Sequence, residues 1–289
     1  MRDWKELNNK YIKEGELYLS FDFLKVWNKE LKQSNSGKKG SPYRYPESLI
    51  RFYSVLRTVF GLPFRQGEGV LKSMKKWVSI PGVPSYIQLQ RRLNKLGYNI
   101  IDSLVHPEDG QVIAVDSTGL KLYNSGQWIR EKHKQRRPFL KLHIAVNVKT
   151  KKAVAVEITE DSVGDGKLAL PLIREAGKTG RIAKGLFDGA YDHYAIWNGL
   201  YKQEIRPVIR LRKDAKTTGL TARARAARRR KKIGDKAWKK ENEYGQRWQS
   251  ETWFSAYKRR FGEFCRATKP ENVIREIMLK AMICNKLIA

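Results

Sequence analysis

The chain has few acidic residues for its number of basic ones. It contains 59 Lys and Arg against 29 Asp and Glu, and its formal net charge is +30. This imbalance exceeds what solubility requires, so it indicates a polyanionic partner, either nucleic acid or an anionic membrane surface. The sequence has no run of about 18 apolar residues, so we expect no segment to span a bilayer. Nucleic acid is therefore the favoured partner.

Cysteine and histidine are also scarce. The two cysteines, Cys265 and Cys284, make no disulfide framework and no zinc-binding pattern. The four histidines lack the spacing of zinc ligands. The opening residues MRDWKELNNK are charged and contain no apolar core of a signal peptide. We therefore expect a cytoplasmic protein that associates with the nucleoid.

Residues 46–97 carry apolar side chains at helical spacing, interrupted by short Pro- and Gly-containing breaks. This pattern predicts three helices, and the last of them carries the basic residues Arg91 and Arg92. A plain helical bundle with basic surfaces would have the same pattern as a helix-turn-helix-like unit. The charge of the whole chain favours the second interpretation. We assign residues 1–110 to a helical N-terminal region that binds DNA.

The composition changes at Gln111, where alternating and apolar runs begin. Strands are predicted at 112–115, 139–148, 153–159, 181–187 and 205–210, and helices at 165–176, 192–203 and 271–287. In the strand 139–148, Lys141 and His143 fall on the polar face, where both are expected to contact DNA. Antiparallel strands followed by α/β alternation predict an α/β domain over 111–289, with a mixed sheet flanked by helices.

A basic segment interrupts this domain at about 211–240. It includes the consecutive arginines Arg228, Arg229 and Arg230 and contains only two acidic residues. A charge run of this kind repels itself, so we expect the segment to be mobile until it binds phosphate groups.

Residues 244–258, YGQRWQSETWFSAYK, are predicted to form one amphipathic helix. Tyr244, Arg247, Glu251 and Lys258 then share a narrow stripe beside the apolar face. Taken alone, this pattern is compatible with a surface helix that has an Arg247–Glu251 ion pair. It is equally compatible with a helix that presents Glu251 to a cleft.

Two aspartates at predicted strand ends, earlier in the chain, favour the interpretation that this helix presents Glu251 to a cleft. Asp116 follows the first predicted strand and Asp188 follows the strand after the first crossover, so both aspartates are expected at one edge of the sheet. Clustered carboxylates repel one another unless a cation neutralises them. Oxygen ligands suit Mg²⁺ or Mn²⁺. Two such ions, roughly 3.5–4 Å apart, support phosphodiester chemistry. We predict a two-metal site at Asp116, Asp188 and Glu251.

The sequence resembles the DDE transposases of prokaryotic insertion sequences. The most specific likeness is a Tyr, two residues, Arg, three residues, Glu, six residues, Lys pattern, which is kept in full from Tyr244 to Lys258. The segments AVDSTGLKLY around Asp116 and LFDGAYD around Asp188 are also similar to that family, as are KLHIAVN and FGLPFRQGEGVL. The resemblance covers most of the chain and implies an RNase H-like catalytic domain.

The resemblance also implies an activity. Metal-dependent cleavage at the ends of a mobile element would be followed by attack of the freed 3′-OH on target DNA. Tyr244, Arg247 and Lys258 would contact the DNA strand end or its phosphates. Terminal inverted repeats and target DNA would be the partners, and a homodimer would hold two ends together. Before DNA and metal arrive, Arg247 and Glu251 are expected to pair with each other.

Two other functions fit parts of the sequence. A non-catalytic DNA-binding regulator would tolerate loss of the three carboxylates, so their joint presence argues against it. A domesticated RNase H-like nuclease would need neither the N-terminal helices nor the basic segment.

Overall fold

The computed structural model describes residues 3–97, 109–122, 139–212 and 214–288. The chain divides into two compact units between Tyr98 and Asn99. Each unit has its own hydrophobic core. The sequence also contains a basic stretch at 121–138, KLYNSGQWIREKHKQRRP, and all of it except the first two residues lies outside the described residues.

The N-terminal unit is helical, as predicted. Its helices are α1 (Trp4–Tyr18), α2 (Phe23–Asn35), α3 (Glu47–Phe60), α4 (Phe64–Met74) and α5 (Tyr86–Lys95). The Asp3 side chain accepts hydrogen bonds at the start of α1, and Ser85 with Gln88 forms a capping box at the start of α5. Helix α1 was not predicted, because its apolar residues are largely exposed and leave no clear buried stripe.

The core of this unit centres on α3, whose residues Ile50 and Tyr53 are fully buried. Helix α4 packs against Tyr53 at Gly67. A Cβ atom at Gly67 would lie 2.4 Å from the Tyr53 ring, so the close approach of these two helices requires glycine there.

The second unit contains a five-stranded sheet in the order β3-β2-β1-β4-β5. The strands are β1 (Gln111–Lys121), β2 (Phe139–Asn147), β3 (Ala153–Glu160), β4 (Ile182–Phe187) and β5 (Arg206–Ile209). The first three strands are antiparallel, while β4 and β5 run parallel to β1. This mixed sheet with the strand order 3-2-1-4-5 is an RNase H-like fold and confirms the predicted fold class.

Helices cover both faces of the sheet. They are α6 (Gly166–Ala176), α7 (Tyr194–Lys202), α8 (Ala222–Ile233), α9 (Asp235–Glu241), α10 (Trp248–Phe261) and α11 (Pro270–Leu287). One core joins α6, α7 and α8 to Ile113 and Val115 of β1. On the other side, α10 packs on β1 and β2, and α11 packs on β3. Among the described residues, every helix is too short or too polar to cross a membrane.

Two features of the sheet differ from the prediction. Strand β1 continues to Lys121, so Asp116 lies within the strand and not at its end. The face of β2 that was predicted to be polar is buried, because α6 covers it. His143 is 0% exposed and Asn147 is 3% exposed.

The basic segment is also more ordered than predicted. It forms α8 and α9, because small side chains let α8 pack closely on the core. Ala224 and Ala227 are buried there.

Asn285 of α11 binds the backbone at the start of β3. Its Nδ2 donates to the Ala153 carbonyl oxygen at 2.7 Å, and its Oδ1 accepts from the Ala153 amide at 2.9 Å. The Trp253 indole also donates to Asn285 Oδ1, at 3.1 Å. The side chain therefore takes the place of a neighbouring strand at this point of the sheet edge.

Candidate active site

The two aspartates lie where β1 and β4 separate. The parallel pairing of these strands ends at Ala114 and Leu186, so the residues beyond that point are no longer paired with each other. Asp116 lies two residues after the last pair on β1, and Asp188 follows the end of β4 directly. Asp188 Oδ1 accepts a hydrogen bond from the Ala190 amide at 2.8 Å, which fixes this carboxylate on a tight turn.

The third carboxylate is connected to the first through an arginine. Residues Tyr244–Arg247 form a 3-10 turn and α10 begins at Trp248, so the single continuous helix predicted over 244–258 is wrong. The backbone of Glu243, with φ at 53°, breaks the helical path before this turn. Arg247 Nη1 donates to Asp116 Oδ2 at 3.1 Å, and Nη2 donates to Glu251 Oε1. One guanidinium therefore bridges two carboxylates, and the Arg247–Glu251 pair is part of a larger arrangement.

Asp116 is the most enclosed member of this group. Its Oδ1 accepts from the Ser117 amide at 2.9 Å, and the hydroxyl of the buried Ser250 lies 3.1 Å from its Oδ2. Burial raises the pKa of Asp116 above its ordinary value and outweighs the opposing effects of the Ser117 amide and Arg247. The negative charge of Asp188 adds to this rise, so the two aspartates interact electrostatically.

Tyr244 contacts the backbone of β4 directly before Asp188. Its hydroxyl donates to the Phe187 carbonyl oxygen at 3.1 Å, and its ring packs against Trp238 with 5.8 Å between centroids. The tyrosine is buried, so its phenol holds the residue before Asp188 and does not face solvent. Burial raises the pKa of Tyr244. Lys258 is half-buried, and its Nζ lies 3.3 Å from Glu263 Oε1.

The donor chemistry of the site fits a hard divalent cation, because carboxylate oxygens from three chain segments meet in one region. No group of three or more His, Cys, Asp and Glu within the described ranges is arranged closely enough to hold a metal. Arg247 accounts for part of this, since it occupies the oxygen atoms of Asp116 and Glu251 that face each other. A cation would have to replace the guanidinium at these two carboxylates.

Several residues predicted to contact DNA have other partners. His143 is fully buried, its Nε2 lies 2.8 Å from Thr159 Oγ1, and burial lowers its pKa. Lys141 Nζ lies 3.3 Å from Asp165 Oδ1 and donates to the Val163 carbonyl oxygen at 3.1 Å. His143 is therefore out of reach of DNA in this arrangement, because α6 closes over its face of β2.

The three consecutive arginines of α8 also bind within the chain. Arg228 donates to two loop carbonyl oxygens, Arg229 pairs with Glu241, and Arg230 pairs with Asp235 at 2.8 Å. These contacts explain why the basic segment is folded.

The two N-terminal arginines differ from each other. Arg91 is exposed, whereas Arg92 donates to the Tyr45 carbonyl oxygen at 2.9 Å and lies over the Tyr43 ring.

Three features of the site were missed from the sequence. Arg210 is exposed directly after β5, beside the strand that carries Asp188, and its charge acts on Tyr244. A sequence-based prediction that β4 and β5 are parallel neighbours would have placed Arg210 beside Asp188, because each residue follows the end of its strand. Ser250 offered no signal, because a serine within a helix is ordinary. Asp192 is buried and accepts two hydrogen bonds of 2.7 Å from Arg223, a residue 31 positions away that local sequence could not identify as its partner.

Comparisons with known proteins identify the family. Residues 107–286, more than half of the chain, match the family described as Transposase DDE domain, and residues 12–125 match a second family with the same description. Three solved structures with weaker likeness are a piggyBac transposase synaptic complex with hairpin DNA, a Drosophila P element transposase strand transfer complex and a pre-cleavage Mos1 transpososome.

The likeness to these structures is low. For piggyBac, the identity is 10% and the TM-score 0.48, with 96% of this chain and 74% of that chain covered. For the P element complex, the identity is 13% and the TM-score 0.37, with 90% of this chain and 69% of that chain covered. For Mos1, the identity is 9% and the TM-score 0.24, with 87% of this chain and 80% of that chain covered. The family assignment follows from the sequence match. The chain belongs to the Transposase DDE domain family and is a DDE-type transposase.

Proposed function

We propose that this transposase cleaves DNA at the ends of an insertion sequence and joins the freed 3′-OH to target DNA. The observation that carries the proposal is the bridge from Asp116 through Arg247 to Glu251. It unites residues 131 positions apart at the edge where Asp188 also lies. A half-buried carboxylate, a second carboxylate and a cation at one edge of the sheet form a site suited to phosphodiester chemistry.

DDE transposases generally use divalent metal ions, and we assign Mg²⁺ or Mn²⁺, as two ions, to Asp116, Asp188 and Glu251. When bound, such ions activate an attacking oxygen and stabilise the leaving oxygen of the scissile phosphate. The chain supports this assignment through its donor set of three carboxylates. Displacement of Arg247 frees the oxygen atoms that these ions require.

The neighbouring side chains then have separate roles. Arg247, once released from the carboxylates, remains at the cleft as a donor for a phosphate oxygen. Tyr244 keeps Asp188 in place through the Phe187 carbonyl group. Arg210 adds positive charge beside Tyr244, where the DNA strand end would lie. Lys258, which pairs with Glu263 in the free protein, is assigned to a phosphate of the same strand.

We assign DNA recognition to the N-terminal unit and to basic surfaces of the catalytic unit. The net charge of +30 supports a polyanionic partner. Arg91 is the predicted residue of α5 that remains open to DNA, while Arg92 fixes the position of Tyr45. Two element ends must be held together during transposition, so we expect a homodimer on DNA.

The test is an assay with a linear DNA whose two ends carry the sequences that flank the gene, together with a supercoiled target plasmid and Mg²⁺ or Mn²⁺. We expect joined products from the wild-type protein and none from Asp116→Asn or Glu251→Gln. Asp161→Asn removes an exposed carboxylate of the same unit and is the matched control. Nicks without joining would identify a nuclease, and binding without nicks a regulator. Unchanged joining by Glu251→Gln would refute the assignment of Glu251.

A further inference from the structure

The loop that leads into α8 presents an isolated apolar side chain to solvent. Leu220 is 86% exposed, and it precedes Thr221, the residue that caps α8. A single exposed leucine is ordinary on a protein surface. The unusual feature is how firmly the loop around this leucine is held and which charges surround it.

Two arginines of α8 donate hydrogen bonds to backbone carbonyl oxygens of this loop. Arg225 Nη1 donates to the carbonyl oxygen of Leu220 at 2.7 Å, and Arg228 Nη1 donates to those of Thr217 and Gly219, also at 2.7 Å. Gly219 has φ at +95°, a conformation that favours glycine and turns the chain outward before Leu220. These bonds fix the backbone on both sides of Leu220, so its side chain is held away from the core.

Helix α8 is itself anchored to the catalytic sheet. Arg223 is buried and binds both carboxylate oxygens of Asp192. Asp192 lies four residues after Asp188, so a short and well-packed path connects the loop to the candidate active site. The helix that follows Leu220 is therefore bound to the short turn that begins at Asp188.

The surroundings of Leu220 are cationic. No acidic residue occurs between Ala215 and Gly234, whereas this stretch contains eight Lys and Arg. Arg225, Arg228 and Lys232 lie on the exposed side of α8. Carbonyl oxygens accept hydrogen bonds from Arg225 and Arg228 but do not neutralise their charges, so both guanidinium groups remain available to phosphates.

We propose that Leu220 is a wedge that enters between base pairs of duplex DNA while the cations around it hold the flanking phosphates. Apolar side chains flanked by Arg and Lys open base steps in this way and bend the duplex. Leucine has no hydrogen-bonding group to read a base, so the surface selects deformable steps in DNA of any sequence. The proposal rests on the assigned action on DNA, but it concerns binding and bending and not cleavage.

The experiment uses the full chain with Asp116→Asn, so that cleavage does not enter the readout. A 30-bp duplex of unrelated sequence, labelled at both ends, reports bending by energy transfer and affinity by anisotropy. We expect Leu220→Ala to lose most of the bend and to bind about tenfold to a hundredfold more weakly, as expected for lost burial of a leucine. A duplex with a central mismatch, which is already easy to open, should restore part of the affinity.

Ile274→Ala, an exposed aliphatic residue on α11, is the matched control and should change neither quantity. Arg228→Lys keeps the positive charge but loses the hydrogen bonds to the Thr217 and Gly219 carbonyl oxygens. The DNA bend should therefore decrease, while the salt dependence of DNA affinity should stay unchanged. Lys232→Gln should lower the slope of affinity against salt by about 0.9 and leave the bend intact. Equal melting temperatures would show that these variants are folded.

If Leu220→Ala bent the duplex as much as the wild-type protein does, the proposal that Leu220 is a wedge would be wrong. If Leu220→Ala reduced bending only on duplexes that carry the element ends, the proposal that Leu220 enters DNA of any sequence would be wrong. Neither result depends on whether the wild-type protein joins DNA, so failure of this proposal is distinguishable from failure of the assigned transposition.

Discussion

Arg247 Nη1 lies 3.1 Å from Asp116 Oδ2, while Nη2 of the same guanidinium binds Glu251. The arginine thus takes the position between two carboxylates that a metal ion would require. Competition between this side chain and a cation can be measured without DNA.

Arg247→Gln should lower the melting temperature in the absence of metal, because Asp116 and Glu251 lose a shared counter-charge. The loss is expected to be about 2 kcal/mol, as for hydrogen bonds to charged groups. Mg²⁺ should then raise the melting temperature of this variant more than that of the wild type. Arg229→Gln, which removes an exposed pair, should not alter the response to Mg²⁺. Equal Mg²⁺ effects in Arg247→Gln and wild type would contradict competition at this site.

Tyr244→Phe should reduce the rate of DNA cleavage about tenfold with little change in DNA affinity. The phenol donates to the Phe187 carbonyl oxygen at 3.1 Å, and its removal leaves this oxygen, next to Asp188, with only the longer bond of 3.3 Å from the Arg210 amide. Loss of the hydrogen bond costs about 1 kcal/mol. Tyr257→Phe is the control, because the Tyr257 hydroxyl has no hydrogen-bond partner in the part of the chain that the structure describes. The prediction fails when both variants cleave at the same rate.

Asp192→Asn should destabilise the catalytic unit by about 3 kcal/mol at pH 7, because it leaves the guanidinium of Arg223 buried without its counter-charge. Urea unfolding measures this loss. Arg229→Gln, which breaks the exposed pair with Glu241, should cost less than about 1 kcal/mol. A similar loss in both variants would mean that burial of the Asp192–Arg223 pair has no special effect.

The same variant makes a prediction about pH. Burial alone would raise the pKa of Asp192, but hydrogen bonds from Arg223, the Arg212 amide and the Trp197 indole outweigh burial and lower it. The ionised form therefore stabilises the fold above about pH 4, and this contribution is lost as the pH falls through the lowered value. Below about pH 4, the unfolding free energy of Asp192→Asn should fall less steeply than that of the wild type.

Two glycines of α4 should respond in opposite ways to alanine. A Cβ at Gly67 would lie 2.4 Å from the Tyr53 ring, so Gly67→Ala should destabilise the N-terminal unit by about 1–3 kcal/mol. Among the described residues, no atom outside the local helix backbone lies within 4 Å of a Cβ at Gly69, so Gly69→Ala should stabilise the helix by up to about 1 kcal/mol. Thermal unfolding distinguishes the two, and a stabilising Gly67→Ala would contradict the packing.

The sequence predicts the sheet and most helices because apolar periodicity reports burial directly. The strand 139–148 and the helices between residues 46 and 97 follow from such patterns. The same reasoning places His143 wrongly on an open face, because alternation cannot show that a second layer covers the polar side of a central strand.

The charged residues of the site illustrate a second limit. Sequence spacing suggests that Arg247 pairs with Glu251, but the contact with Asp116 crosses 131 residues and depends on the fold. The arginines of α8 were taken for phosphate contacts, because their partners Glu241 and Asp235 become neighbours only after α8 and α9 pack together. Local patterns locate charges, whereas tertiary structure decides which of them remain free.

The amide of Asn285 makes the sheet depend on a helix that is synthesised 132 residues after the strand it binds. All five strands are complete before Arg210 leaves the ribosome, but the buried backbone groups of Ala153 gain their partner only once α11 has formed. A growing chain therefore carries an unfinished strand edge until α11 emerges. Folding of the catalytic unit is therefore completed only after α11 has been synthesised, although strands β1 to β5 all precede this helix in the chain.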